Sequence, residues 1–391
     1  MSKKIFEEEE KIMKKLGLIT GILLSFLLIC SFAVGAADEI VIGVYEPMTG
    51  PYAAGGQMTV EGVNLAFEQQ ATVLGKPIKL ILVDNKSEKV EAANAVARLI
   101  EFEKAVAIVG TYGSACAIPG SEVANKAGVP MMGCSPTNPL VTLGKPYAFR
   151  ACFIDPFQGA VMANFAVNTL NAKTAVVIQD IASDYAVGLS NFFREAFIKL
   201  TGNPKSIIGL ISYQTGDQDF TAQVTYAASK NPDIVFVPAG SYGDAALILK
   251  QGKEMGITAN FLGGDTWEAP EFIEVGGEAV EGSYFSTHFD ATAITTKSAE
   301  KFCKDFEEKY NRPPSAFAAL GFDAFNLVVD AIKRAGSADP KAICDALAAT
   351  KGYEGCTGII TLDLNGDATK DAIIKTVENG EFKYIATVHP F

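Results

Sequence analysis

From Ile40 onward, apolar runs of strand length alternate with longer stretches whose apolar residues recur at helical spacing. A strand that must pass through a helix before the next strand begins lies parallel to its neighbour. The pattern therefore restricts the chain to βαβ units around mainly parallel sheets. The first runs are residues 40–44, 78–84, 106–110 and 129–133; in the segment 90–103 between them, Val90, Ala93, Ala97 and Ile100 recur along one face. A second series follows at 174–179, 207–213, 234–238 and 261–263, separated by helical segments such as 185–200. Two sheets are implied, each with its own helices. Helical periodicity then returns at 297–310, 316–335 and 340–349, and the chain closes on a hairpin of 372–377 and 382–388 turned by Asn379-Gly380. No tandem repeat or low-complexity linker is present, so the lobes are expected to be joined by several short strands, not one flexible tether.

Size and charge fit this reading. The chain has 391 residues, 49% of them apolar, enough to bury two cores. Its formal charge of −12, with only 33 Lys and Arg, supplies no basic stripe for a phosphate backbone, which excludes nucleic acid as a partner. Upstream of the pattern, an apolar run from Leu16 to Cys30 follows Lys14 and Lys15 and ends in Ala33-Val34-Gly35-Ala36-Ala37. That order is the grammar of a secretory signal peptide over residues 1–37, and the run is shorter than the roughly 20 residues a membrane span needs. Cleavage is expected after Ala36 or Ala37. The acidic block Glu7 to Glu10 is unusual in a leader, which makes Met13 a candidate start. A lipid anchor through Cys30 is the weaker alternative, because Ile29 is bulky where lipoproteins carry a small residue. Without the leader, 28 basic and 41 acidic side chains leave a net charge of −13, and the protein is expected to be exported, periplasmic or extracytoplasmic. The remaining six cysteines are even in number, yet none is spaced Cys-x-x-Cys and a chain this long needs no staple, so mostly buried free thiols are expected.

Catalysis finds little support. Only two histidines occur, His288 and His389, and neither has metal-ligand spacing or a nucleophile motif beside it. The glycine-rich segment Gly50 to Gly56 follows the first strand but lacks both phosphate-loop spacings, and the segment Asp363 to Asp367 lacks the downstream acid of a calcium loop. No enzyme, cofactor or metal is expected, and the 363–367 segment is read as a tight turn. The informative loops are Thr111 to Cys116 and Cys134 to Pro139, at the carboxyl ends of strands, where open α/β sheets bind ligands. If each leads straight into a helix, Ser114 and Thr137 each offer a hydroxyl and a backbone N–H to a carboxylate. Taken singly, each is as well explained as a cap of its own helix.

Together these stretches resemble the leucine/isoleucine/valine-binding protein family of ABC-transporter solute receptors, across residues 38–391. The likeness is carried by Ile42-Gly43 to Gly50-Pro51, Val109-Gly110 to Ser114, Val129-Pro130 to Pro139, Phe153 to Gly159, Ser183-Asp184-Tyr185, Phe261 to Asp265 and Ala316 to Asp323, in that order and spacing. It implies a type I periplasmic-binding fold: α/β, two doubly wound parallel-sheet lobes joined by three crossovers, with the ligand in the interlobe cleft. The implied boundaries are 38–154 with 288–368 for the first lobe and 155–287 with 369–391 for the second. By the same resemblance the ligand carboxylate is held at Ser114 and Thr137, with Gly113 and Pro136 in the same loops. Its ammonium meets the Ser135 carbonyl and Asp265, and Tyr185 closes over the head group. Tyr112, Tyr242 and Phe317 stand near the side-chain pocket, although the loop around Ser241-Tyr242 aligns in two ways.

Departures limit what carries over. Family members have glutamate where Asp265 stands, one methylene longer; the disulfide some carry is absent, its positions reading Gly113 and about Ser87; and a first-lobe tyrosine falls on Gly55, with Tyr52 nearby. Chemistry supports the amino-acid reading independently, since two hydroxyls suit any carboxylate while an acid repels a simple anion and welcomes an amine. The expected ligand is a branched-chain or other apolar amino acid, the expected partners are ABC permease subunits, and the expected state is a monomer. Urea, an amide or an aromatic acid are the alternative ligands, and a signalling protein the alternative partner.

Overall fold

A computed structural model describes residues 2–11, 13 and 39–390. Of the expected leader only residues 2–11 and 13 are described; its apolar run and Cys30 lie outside the described residues, and among those described no helix is long and apolar enough to cross a membrane.

The first sheet is built from β1 (Ile40–Glu46), β2 (Thr72–Val73), β3 (Lys76–Asp84), β4 (Ala107–Val109), β5 (Met131–Gly133) and β6 (Ala148–Arg150), in the spatial order β2-β3-β1-β4-β5-β6. All pairs are parallel except the β2–β3 hairpin. The second comprises β7 (Ala175–Asp180), β8 (Ile207–Tyr213), β9 (Ile234–Phe236), β10 (Asn260–Gly263), β11 (Tyr284–Thr287), β15 (Ala372–Glu378) and β16 (Glu381–Val388). Its order is β16-β15-β11-β10-β9-β7-β8, parallel through β11 and antiparallel in the closing hairpin. In both sheets the first strand of the lobe lies inside the second, so the winding reverses beside β1 and again beside β7, and such reversals open a crevice at the strands' carboxyl ends.

The expected helices form, with Ser183, Thr296, Ser315 and Asp339 capping helices Asp184–Thr201, Lys297–Tyr310, Ala316–Ala335 and Pro340–Ala348; in helix Lys89–Glu101, however, the buried face is Ala92, Ala95, Val96 and Leu99, not the one marked by Val90, Ala93, Ala97 and Ile100. Strands β6 and β11 are not among the apolar runs read from the sequence. Nor is a small antiparallel sheet of β12 (Tyr353–Gly355), β13 (Gly358–Leu362) and β14 (Ala368–Thr369). The turn within it forms as expected: the Asp363 side chain accepts the N–H of Asn365 and of Asp367, and Gly366 takes φ +82°.

Three passages connect the lobes. The chain leaves the first sheet after β6 and enters helix Asp155–Asn164, which packs on the second lobe. It returns after β11, where Phe302 and Phe306 of helix Lys297–Tyr310 join the first lobe's core. It crosses again between β14 and β15. The six described cysteines are free thiols, five of them buried, and burial pushes their pKa values up, which makes them poor nucleophiles.

Candidate functional site

Where the two sets of strand ends face each other lies a cleft whose cavity is narrow, about 20 Å³. Its walls come from the loops after six strands: Tyr52 after β1, Tyr112 to Ala115 after β4, Ser135 after β5, Ser183 and Tyr185 after β7, Gly240 after β9, and Asp265 and Thr266 after β10. Six of the ten residues expected at the site therefore line one cavity: Tyr112, Gly113, Ser114, Ser135, Tyr185 and Asp265. Of the rest, Phe317 stands behind Tyr112, ring centroids 4.9 Å apart and edge to face. Tyr242 accepts the N–H of Ala54 at 3.2 Å, a bond between lobes. Pro136 packs against Gly133, and its carbonyl accepts from Arg150.

Thr137 departs from expectation. No helix begins at it: Asn138 caps a single 3-10 turn, Pro139–Val141, by accepting the N–H of Leu140 at 2.9 Å. Pro136 and Pro139 keep the intervening backbone extended, which delays the turn. The Thr137 hydroxyl is buried without lining the cleft. Ser114 departs in the opposite sense. It is the first residue of helix Ser114–Ala127, Gly113 holds the cap position at φ +83°, and no side chain caps that end. Instead of capping, the Ser114 hydroxyl accepts the N–H of Asn138 at 3.1 Å, which joins the two loops and leaves its own proton for the cleft. The second loop is held from below by the fully buried Arg150, which donates to the carbonyls of Pro136 (2.7 Å) and Asn138 (2.9 Å) and to Thr142, and pairs with Asp367 at 2.7 Å.

The first loop is held by Glu46 at the end of β1, which accepts the N–H of Tyr112 at 2.6 Å and the Thr111 hydroxyl at 3.2 Å. Burial outweighs these bonds and pushes the Glu46 carboxyl up to about 8 from an ordinary 4.5. The protonated form thus stabilises the fold fully below pH 4.5, and that contribution is lost as the pH rises to about 8. Glu46→Gln keeps the acceptor without the charge, so it should flatten the fall in melting temperature over this window. The flattening is partial, because burial also pushes Asp155 up to about 8. An unchanged slope would assign the titration to another group.

Across the cleft, Asp265 is 2% exposed and satisfied by three donors. Its Oδ1 accepts from the Tyr185 hydroxyl and from Gln158 Nε2, both at 2.8 Å, and its Oδ2 lies 3.0 Å from His288 Nε2. Burial, and next the Asp265 charge, push the Tyr185 phenol well above its usual range, so it stays a donor. Sequence reasoning missed Gln158 and His288. Gln158 sits in the stretch Phe153 to Gly159 that carried the family likeness, whereas nothing marked His288. At the other end of the cleft, a Cβ on Gly55 would stand 2.4 Å from the Tyr112 ring, so Tyr112 and, 6.2 Å from it, Tyr52 fill the region where relatives were expected to place a tyrosine.

Such an arrangement can neutralise both ends of a small dipolar molecule, with a hydroxyl and a helix N-terminus on one wall and a carboxylate on the other. Residues 39–381 match the family model described as periplasmic binding protein. An amino acid binding protein of Pseudomonas aeruginosa is 31% identical, the alignment covering 87% of each chain. Among solved structures, a leucine binding protein of Thermotoga maritima is 45% identical with a TM-score of 0.87, covering 90% of this chain and 99% of that one. The branched-chain amino acid transporter substrate binding protein of Streptococcus pneumoniae, in complex with isoleucine, is 35% identical with a TM-score of 0.84, covering 90% and 100%.

Proposed function

The chain belongs to the periplasmic binding protein family, and from that premise we propose that it is the extracytoplasmic substrate-binding component of an ABC transporter, carrying an apolar amino acid of the branched-chain type to a membrane permease. The observation that carries the amino-acid reading is that Asp265 and Ser114 face one cavity from opposite lobes. Ser114, Gly113 and the start of helix Ser114–Ala127 would take the carboxylate. Asp265 would take the ammonium, and Tyr52 and Tyr112, backed by Phe317, would meet an apolar side chain. Thr137 is proposed only as support for the second loop. Charge-assisted bonds contribute roughly 1.5–3 kcal/mol each. Four made only with both lobes in place could offset the entropy of association and reach micromolar affinity, about −8 kcal/mol. Contacts made to both lobes also bias the open and closed populations, the difference a permease can read.

A thermal-shift panel of the twenty amino acids with urea, acetamide and benzoate tests the reading, since a ligand that binds only the native state raises its midpoint. Leucine, isoleucine or valine should give the largest shift. A shift from benzoate or urea with none from any amino acid would overturn the assignment.

Trp267, the only tryptophan, gives a second test. It is fully buried two residues beyond Asp265, stacks on Phe272 with centroids 4.8 Å apart, and lies over Gly263, where a Cβ would meet the indole at 2.1 Å. Its emission should be that of an apolar site and should change in intensity as the bound amino acid engages the 265–267 turn. An emission unaltered at saturating ligand would show that this turn does not respond.

A further inference from the structure

Three donors already converge on Asp265, and their arrangement constrains how it can receive a ligand. A carboxylate offers about four in-plane acceptor positions, two on each oxygen. Both positions on Oδ1 are taken, by Tyr185 and by Gln158, whose amide also bonds the Ser286 hydroxyl at 3.0 Å. Oδ2 has His288 Nε2 at 3.0 Å, which leaves one position on that oxygen. The imidazole nitrogen facing a carboxylate must carry the proton, so His288 is the donor, and burial holds the ring below its usual titration range and neutral. The ring is fixed in place. It is 2% exposed, it follows Thr287 at the end of β11 where the chain passes back to the first lobe, and it packs at a tilt of 31° against Phe153 of the first passage with centroids 3.9 Å apart.

We infer that His288 is a positioning residue for ligand recognition: by donating to Oδ2 it sets the plane of the Asp265 carboxylate and presents that oxygen's remaining lone pair as the acceptor for the ligand's ammonium. This also accounts for how an acid one methylene shorter than the family's glutamate can serve, because its orientation is fixed by Tyr185, Gln158 and His288 and not by its own reach. The inference rests on the amino-acid reading above. It assigns to the connecting segments a share in selecting the amine, since two of the three donors, Gln158 just after the first passage and His288 at the start of the second, lie at their ends.

The test compares L-leucine with 4-methylpentanoate, the same molecule without the amine, by titration calorimetry on the wild-type, His288→Ala and His288→Gln chains. His288→Ala should weaken L-leucine by about tenfold or more, the size of one lost charge-assisted bond, and leave 4-methylpentanoate within about twofold. His288→Gln, whose amide restores a donor, should recover most of the loss. Equal losses on both ligands, or none on L-leucine, would overturn the positioning role while leaving the amino-acid reading intact. If His288→Ala melts without a cooperative transition, His288→Phe keeps the ring contact with Phe153, removes the donor and carries the same expectation. A wild-type chain that binds 4-methylpentanoate as tightly as L-leucine, or binds neither, fails the amino-acid reading and this inference together, a result visible before any variant is made.

Discussion

Asp265→Ala is expected to abolish amino-acid binding, with a loss of at least 100-fold. Among the residues lining the cleft Asp265 is the one acid. Without it an ammonium would enter a buried site with no counter-charge, and breaking one side of a buried pair costs about 3–5 kcal/mol. The loss adds to a second effect, because Tyr185, Gln158 and His288 would all lose an acceptor. The variant should therefore also melt lower than wild type in the absence of ligand. Asp265→Asn separates the two effects: it keeps one acceptor oxygen but no charge, so it should recover more of the melting temperature than of the affinity. Calorimetric titration with L-leucine checks the binding half, and an affinity within a few-fold of wild type in Asp265→Ala would remove this carboxylate from the site.

Gly62→Ala should cost about 2–3 kcal/mol of stability, against the usual rule that alanine improves a helix by about 1 kcal/mol. Gly62 lies in helix Ala53–Gln69, which packs closely against helix Ala316–Ala335, and a Cβ there would stand 1.8 Å from the carbonyl oxygen of Ala318. On the facing helix, a Cβ at Gly321 would meet the carbonyl oxygen of Thr59 at 2.2 Å. The obstacle in each case is backbone, not the end of a flexible side chain, so the helices must move apart. That displacement would shift Phe317, at the start of the second helix, away from Tyr112 and the cleft. Urea denaturation gives the stability change. A variant as stable as wild type would show that the helices can separate at no cost.

Legibility in the sequence followed the range of the interactions. Strands such as Lys76–Asp84 and helices such as Ala316–Ala335 were readable because the positions that must be apolar are set by the local period of the backbone. Loops at the carboxyl ends of strands were readable as site candidates for the same reason. Ser114 and Thr137 were not distinguishable by that logic. Both follow a strand and both carry a hydroxyl, and only the folded chain shows that Ser114 begins a helix whereas Thr137 precedes a single 3-10 turn. The close approach that requires glycine at Gly62 and Gly321 appears only where two helices meet.

The amino-acid sequence by itself determined the α/β class, the two series of strands and the loops able to carry a site, because hydrophobic period, turn residues and caps act over a few residues. Only the tertiary structure decided which side chains meet. Asp265 joins Gln158, 107 residues away, Tyr185, 80 away, and His288, 23 away. Such a meeting depends on how two sheets and three connecting segments pack, and no local pattern encodes it.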